Sequence, residues 1–292
     1  MTRNVSISNF AGPHIKHTKA STFFKKFPDI LAGKDLKDAA NTIIKARKNG
    51  KHVILGIGGH VIKVGLSPII TDLIERKIIT GISMNGAAMI HDVEVALYGD
   101  TSENVDKGIE NGTFGNDLRA VSVSREIINA ISVGASLDKG VGEAVGNMLV
   151  LFDNSNVSIL KTAYKKSIPA MVHIASGTDI IHMNLGFDPV ATGKTTHTDF
   201  KFFCQLIREI EGGVYLNVGS AVILPEIFLK AVSLGRYRNY KVTNFTTIVM
   251  DFLKQYRPMK NVCERPTEKG IYLVGHHEIM FPLLAAMIIE GS

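Results

Sequence analysis

Short apolar runs alternate along this chain with segments in which apolar residues recur every three or four positions. In "DLKDAANTIIKARKNGK" the residues Leu36, Ala39, Ile43 and Ile44 share one helical face, and Gly50 follows as a stop. "HVILGI" then reads as a buried strand. Pro68 suits the first turn of a helix "SPIITDLIERK", with Ser67 as its cap. "ITGISMNG" is the next strand and "AAMIHDVEVALYG" the next helix. Further on the pattern predicts a helix over 122–134, a strand "AMVHIAS", a helix over 197–211 and a strand "GVYLNVGS". The helix "LPEIFLKAVSLG", the strands "KVTNFTTIV" and "KGIYLVG", and the helix "HEIMFPLLAAMI" complete the series. Apolar strands between amphipathic helices predict an α/β fold, a Rossmann-like parallel sheet with helices on both faces. Residues 1–30 read as a polar N-terminal arm and 31–292 as a single domain, because no linker composition interrupts them. The polar, glycine-rich segment 99–120 is expected to be a loop near a site.

Composition changes this picture little. A hydrophobic fraction of 45% and a charged fraction of 21% are ordinary for a globular protein. Cys204 and Cys263 lie far apart, which excludes a disulfide scaffold or cysteine zinc site and fits a reducing cytoplasm. The net charge of +6 is spread along the chain in short, interrupted clusters. It therefore predicts a basic surface with a bias toward anionic ligands and no nucleic-acid binding. "MTRNVSISNFAGPHIKH" lacks the apolar core of a secretory leader, and "VGNMLVLF" and "IMFPLLAAMII" fall short of the ~20 apolar residues that cross a bilayer. No membrane partner is expected.

Ligands of open parallel sheets bind at the carboxyl ends of the strands, so the residues delivered there carry the chemistry. These are Gly58, Gly59 and His60 after the first strand, and Asn85 and Gly86 after the second, whose helix carries His91, Asp92 and Glu94. Later tips deliver Thr178, Asp179, His182 and Asn184, then Gly219 and Ser220, then Thr246, Thr247 and Asp251, and last His276, His277 and Glu278. So many small and polar tips on one edge exceed what turns require. Taken singly they are ambiguous. Gly58-Gly59 serves a phosphate-approach loop or a bare turn, since G-x-G-x-x-G would need glycine at Val61. Asp179 could accept from a ribose or cap the next segment. Adjacent His276 and His277 point apart and no H-E-x-x-H helix exists, so no metal is expected. His60, His91, His173 and His182 have the right chemistry for an acid or base.

At these residues the chain resembles the deoxyhypusine synthase family, NAD-dependent enzymes that move an aminobutyl group from spermidine to a protein lysine. "LGIGGHVIKVGLSPIITDLIERKIIT" follows the spacing of that family's first NAD segment, with Gly59-His60 in place of Ser-Asn. "SMNGAAMIHDVEVAL", "IASGTDIIHMN", "GSAVILPE" and "LVGHHEIMFPLL" are similar to its later segments, so the likeness runs from about Ala39 to Ile289. The resemblance implies a deoxyhypusine-synthase-like fold, NAD at the strand tips and a homo-oligomer, a tetramer or dimer. The departures fall on the chemistry. "RPMKNVCERP" begins in register with the family's lysine motif, but Pro266 takes the place of the covalent lysine. Glu264 stands for a tryptophan over the amine, Lys260 for an acidic residue, Pro225 for the catalytic histidine and Asn184 for an amine-binding aspartate.

The expectation is an NAD-dependent enzyme transferring hydride on a small, anionic substrate. NAD is expected along Gly58, Gly59, His60, Asn85, Gly86, Asp179, Gly219, Ser220 and Thr246, with His276 and His277 at its far end. His182 and His91 are the candidate bases, and Arg257, Lys260 and Arg265, with Asn184 and Glu264, the substrate contacts. Two alternatives stay open: an aminobutyl transferase using a displaced lysine, Lys260 or Lys269, and a non-catalytic NAD-responsive protein.

Overall fold

A computed structural model describes residues 16–101, 105–152 and 157–291. Residues 1–15, half of the predicted arm and most of the stretch read for a leader, lie outside the described residues. So do 102–104 of the expected loop.

The chain opens with α1 (Ala20–Lys25) and α2 (Leu31–Lys48), whose buried face is Leu36, Ala39, Ala40, Ile43 and Ala46. Next come β1 (Val53–Ile57), α3 (Gly59–Lys63), α4 (Ser67–Glu75), β2 (Gly81–Asn85) and α5 (Gly86–Tyr98). Ser67 is not the cap of α4. It is the first helical residue, because the opening bond runs from Ile70 N–H to Leu66 C=O, and its own hydroxyl is buried without a partner. Gly99, at φ 83°, ends α5.

The predicted loop 99–120 contains α6 (Val105–Asn111), and α7 (Leu118–Ser136) extends past both ends of its expected range. α8 (Val141–Leu149) and α9 (Ile159–Lys165) follow, then β3 (Ala170–His173), a 3-10 turn at Ile180–Met183 and α10 (Pro189–Arg208). The last part is β4 (Val214–Val218), α11 (Ile223–Tyr237), β5 (Thr246–Asp251), α12 (Tyr256–Pro258), a π-helical turn at Met259–Glu264, β6 (Gly270–Val274) and α13 (His277–Gly291).

The six strands form one sheet in the order β3-β2-β1-β4-β5-β6, and every neighbouring pair is parallel. Alternation along each strand feeds two cores. Leu55, Ile57, Leu216, Val218, Ile248 and Met250 pack with α2, α4, α5 and α13, whereas Ile54, Tyr215 and Val249 pack with α10 and α11. In the second core Tyr215 stacks on Phe228 at 4.0 Å. The open edge of β3 is closed by α10: Asp199 Oδ2 accepts from Val172 N–H at 2.8 Å, and Thr196 Oγ1 accepts from Ile174 N–H at 3.0 Å. Chain order steps outward from β1 to β3 on one side and from β4 to β6 on the other. That reversal between β1 and β4 is where such sheets open a ligand crevice.

Candidate functional site

The tips of β1 and β4 meet at the reversal without side chains between them. Gly58 N–H donates to Val218 C=O at 3.0 Å, and a Cβ on Gly58 would stand 2.0 Å from the Gly219 carbonyl oxygen. Only glycine at 58 permits this approach, and Gly219 itself has φ 67°, in the left-handed region. Beneath, Asn217 Nδ2 donates to Ser220 C=O at 2.9 Å and fixes the β4 turn. The result is a crest of bare backbone. Its floor is aromatic: the His277 ring lies 5.5 Å from His60 and 6.1 Å from Phe252. His277 is fully buried, its Nε2 donates to Met250 C=O at 3.2 Å, and burial pushes its pKa down. His276 points away into solvent, 72% exposed.

Beside the crest, α3, α5 and the loop after β3 enclose a cleft of about 190 Å³. Lys63, His91, Glu94, Thr178 and Asp179 form its polar wall, and Ile90, Val105, Phe114 and Ile180 its apolar one. Asn85 Oδ1 caps α5 by accepting from Ala88 N–H at 2.9 Å. The Asp179 carboxylate packs against Gly86 at the first turn of α5, where a Cβ would stand 2.0 Å from Oδ2. Among the described residues that buried Oδ2 has no partner. Burial raises the Asp179 carboxyl above the usual carboxylate range, and His182 pulls the other way. A buried carboxylate oxygen left unbonded is costly unless something donates to it. On α5, His91 Nδ1 lies 2.7 Å from Glu94 Oε2, and Glu94 is the more buried, 8% exposed against 22% for the histidine.

The structure thus divides the residues expected at the site. It brings together Gly58, Gly59, His60, Gly219, Ser220 and His277 at the crest, and Asn85, Gly86, His91 and Asp179 around the cleft. His182 stands just behind: its Nδ1 donates to the backbone oxygen of Asp179 at 2.9 Å, its ring lies against Phe187 at 4.6 Å, and its Nε2 is buried and unpartnered. Asn184 closes a local turn by accepting from Gly186 N–H at 2.9 Å.

Thr246 lies at the opposite edge of the sheet. It is the first residue of β5, paired with Val214, the first residue of β4, so in a parallel sheet it sits at the amino end. The tip that β5 does deliver carries Asp251 and Phe252. The cationic group after β5 is engaged elsewhere. Arg257 reaches Glu226 of α11 at 3.4 Å, Arg265 donates to Asn261 Oδ1 at 2.6 Å, and Asn261 donates to Glu226 Oε1 at 2.7 Å. Lys260 pairs with Glu264 one turn on, and Lys269 donates to Asn244 Oδ1 at 2.6 Å. This network binds the β5–β6 connection to α11 and contributes no wall to the cleft. Sequence reading missed Lys63 as a cleft residue and the pairing of Glu94 with His91. The second had a signal, since positions three apart on a helix share a face. Among the described residues no group of His, Cys, Asp and Glu converges to hold a metal ion, and no helix is long and apolar enough to cross a membrane.

No family model and no curated protein matches the chain in sequence. Solved structures do match in fold. The complex of AgrE with ornithine and NAD+ superposes with a TM-score of 0.58 at 17% identity, over 87% of this chain and 32% of AgrE. A candidate deoxyhypusine synthase from Entamoeba histolytica gives a TM-score of 0.58 at 13% identity, over 94% of both chains. A conserved candidate LOR/SDH protein from Methanococcus maripaludis S2 gives 0.55 at 15%, over 97% of this chain and 73% of its own. The chain spans only 32% of the length of AgrE. At these identities the likeness is one of architecture: the chain has the α/β, deoxyhypusine-synthase-like fold.

Proposed function

We propose that this protein is an NAD-dependent enzyme that transfers hydride on a small substrate held in the cleft between α3, α5 and the β3 loop. The observation that carries this reading is the glycine-on-glycine contact of Gly58 and Gly219 at the reversal of strand order, with one buried carboxylate oxygen, Asp179 Oδ2, left without a partner among the described residues beside it. Gly58 and Gly219 already give their N–H groups to the Val218 and Met250 carbonyls, so what they offer a pyrophosphate is close approach without side chains, and an orphaned acceptor suits a sugar hydroxyl. AgrE, which shares the fold, binds NAD+ and ornithine in the solved complex.

The cleft is too small for a dinucleotide, since small-molecule sites usually span ~300–1,000 Å³. The cofactor would therefore lie along the open crest, held by Gly58, Gly59, His60, Gly219 and Ser220, with Asp179 accepting from its ribose and Asn85 and Gly86 supporting that end. When bound, NAD supplies a hydride acceptor or donor. The chain's residues do the rest. Lys63, the cation in the cleft wall, takes the place expected for Arg257, Lys260 and Arg265 in holding an anionic group of the substrate. As the substrate's C–H electron pair leaves with the hydride, the proton of the adjoining O–H or N–H passes to His91 Nε2. His91 is preferred to His182 because it lines the cleft, whereas His182 is tied to backbone behind it. The transferase alternative has less support, because Lys260 and Lys269 each have a partner away from the cleft. Assembly as a homo-oligomer remains part of this proposal through the resemblance.

The test supplies NAD+ with small amino and hydroxy acids, ornithine among them, and follows reduced-nicotinamide absorbance. His91→Asn should lower turnover by ~100-fold, within the usual range for a lost acid–base group, and leave NAD+ affinity unchanged. Equal activity in His91→Asn and wild type would remove His91 from the mechanism.

A further inference from the structure

We infer that Glu94 is the positioning residue of the site: it locks His91 in the tautomer whose unprotonated Nε2 faces the cleft. The inference rests on the proposed function only for the task His91 performs.

Three observations carry it. His91 and Glu94 lie on one face of α5, with Nδ1 and Oε2 2.7 Å apart, inside the range of a charge-assisted hydrogen bond. Glu94 is nearly buried, and among the described residues it forms no ion pair with a lysine or arginine. Its charge is therefore directed at the ring. An ionised carboxylate only accepts, so Nδ1 must carry a proton, and in the neutral ring Nε2 then keeps its lone pair.

The third observation fixes where that lone pair lies. A Cβ added to Gly59 would meet His91 Cδ2 at 3.2 Å, so the absence of a side chain at 59 lets the ring approach α3. Cδ2 is bonded to Nε2. The part of the ring nearest the β1 tip is thus Cδ2, the carbon next to Nε2. Two other titratable groups face the same space, Lys63 from α3 and Asp179 from the loop after β3. Neither is hydrogen-bonded to the ring, so among the described residues Glu94 is the group that sets its proton. His182 shows the contrast: its Nδ1 is fixed by a backbone carbonyl, and the Nε2 it leaves free is buried.

The tautomer is read directly. Long-range proton–nitrogen spectra of histidine-labelled full-length protein, with His91 assigned by its loss in His91→Asn, should show Nδ1–H in wild type. Glu94→Ala should release the lock and raise the Nε2–H share by several-fold, and Glu94→Asp should retain most of it. NAD+ titrated by calorimetry into Glu94→Ala should bind within about twofold of wild type, because Glu94 touches the ring and not the crest. Nε2–H in wild type, or an unchanged tautomer in Glu94→Ala, would overturn the inference. A wild type that shows the lock yet binds no NAD+ would support the inference and defeat the proposed function, so the two failures are separable.

Discussion

An alanine at position 58 would place its methyl carbon 2.0 Å from the Gly219 carbonyl oxygen and 2.8 Å from the carbonyl carbon. Both are backbone atoms, so no side chain can swing aside and the β1 and β4 tips must part. Gly58→Ala should cost about 1–3 kcal/mol of stability, as overpacking does, and should weaken NAD+ binding at least tenfold. Gly193→Ala is the control: nothing lies within 4 Å of its would-be Cβ, and it sits inside α10. It should be neutral or stabilising by up to ~1 kcal/mol. Chemical denaturation and calorimetry on the pair check both statements, and equal behaviour of the two variants would refute the close-contact argument. At this scale the sequence was informative about glycines, because small residues after an apolar run mark strand tips whatever the fold. It was less so about Asp179, whose unpartnered oxygen exists only because Gly86 and the β3 loop come together from positions far apart in the chain. The exclusion of Arg257 from the cleft likewise depends on Glu226, a partner no local pattern reveals.

Two buried carboxylates fasten the α8–α9 region, one to α5 and one to the edge strand. Asp92 of α5 accepts from Ser158 Oγ at 2.7 Å and from Ile159 and Leu160 N–H at 2.8 and 3.0 Å, and so caps α9. Asp199 of α10 accepts from Gly142 and Val172 N–H at 2.9 and 2.8 Å, joining α8 to the edge strand. Asp199→Ala should destabilise by about 2–4 kcal/mol, since each buried N–H left unpaired costs about 1–3 kcal/mol. Burial pushes the two carboxyls up, Asp92 to about 6 and Asp199 to about 7, from an ordinary 3.8. Between 3.8 and those values the folded chain holds protons that the unfolded chain has lost. The stability contributed by the protonated forms is therefore full below 3.8 and lost as pH rises through about 6 to 7. Asp199→Asn, which cannot ionise, should gain stability relative to wild type as pH rises from 3.8 to about 7 and hold that gain above it, measured as the difference in denaturation midpoints. A difference constant with pH would contradict the assignment. Neither α8 nor α9 was legible in the sequence. "VGEAVGNML" is rich in glycine, and a Cβ on its Gly142 would stand 2.0 Å from the Ala170 carbonyl oxygen, so packing against the edge strand overrides local propensity. The early turns of α10, "PVATGKTT", fall outside the predicted helix for the same reason. They are helical because Asp188 caps them, accepting from Val190 and Ala191 N–H, and Thr195 bonds back to the Ala191 carbonyl.

For the molecule as a whole, the parallel sheet was readable from strands that are apolar at nearly every position, because both of their faces are covered. β1 is buried at all five residues and β4 likewise. Strand order was not readable, since it depends on which runs pair across the chain. Order is nevertheless what gives the site its meaning: the same glycine tips in a sheet without a reversal would be turns. Thr246 lies at the far edge because β5 begins with it, although the run containing it was correctly read as a strand. The central claim is that the reversal between β1 and β4 forms a crest that holds NAD. Calorimetric titration of the full-length protein with NAD+, NADH and NADP+ tests it most directly. The account predicts saturable binding of NAD+ or NADH at one site per chain, weakened at least tenfold in Gly58→Ala and preserved in His91→Asn. Absence of heat with all three nucleotides, or binding that Gly58→Ala leaves intact, would contradict it.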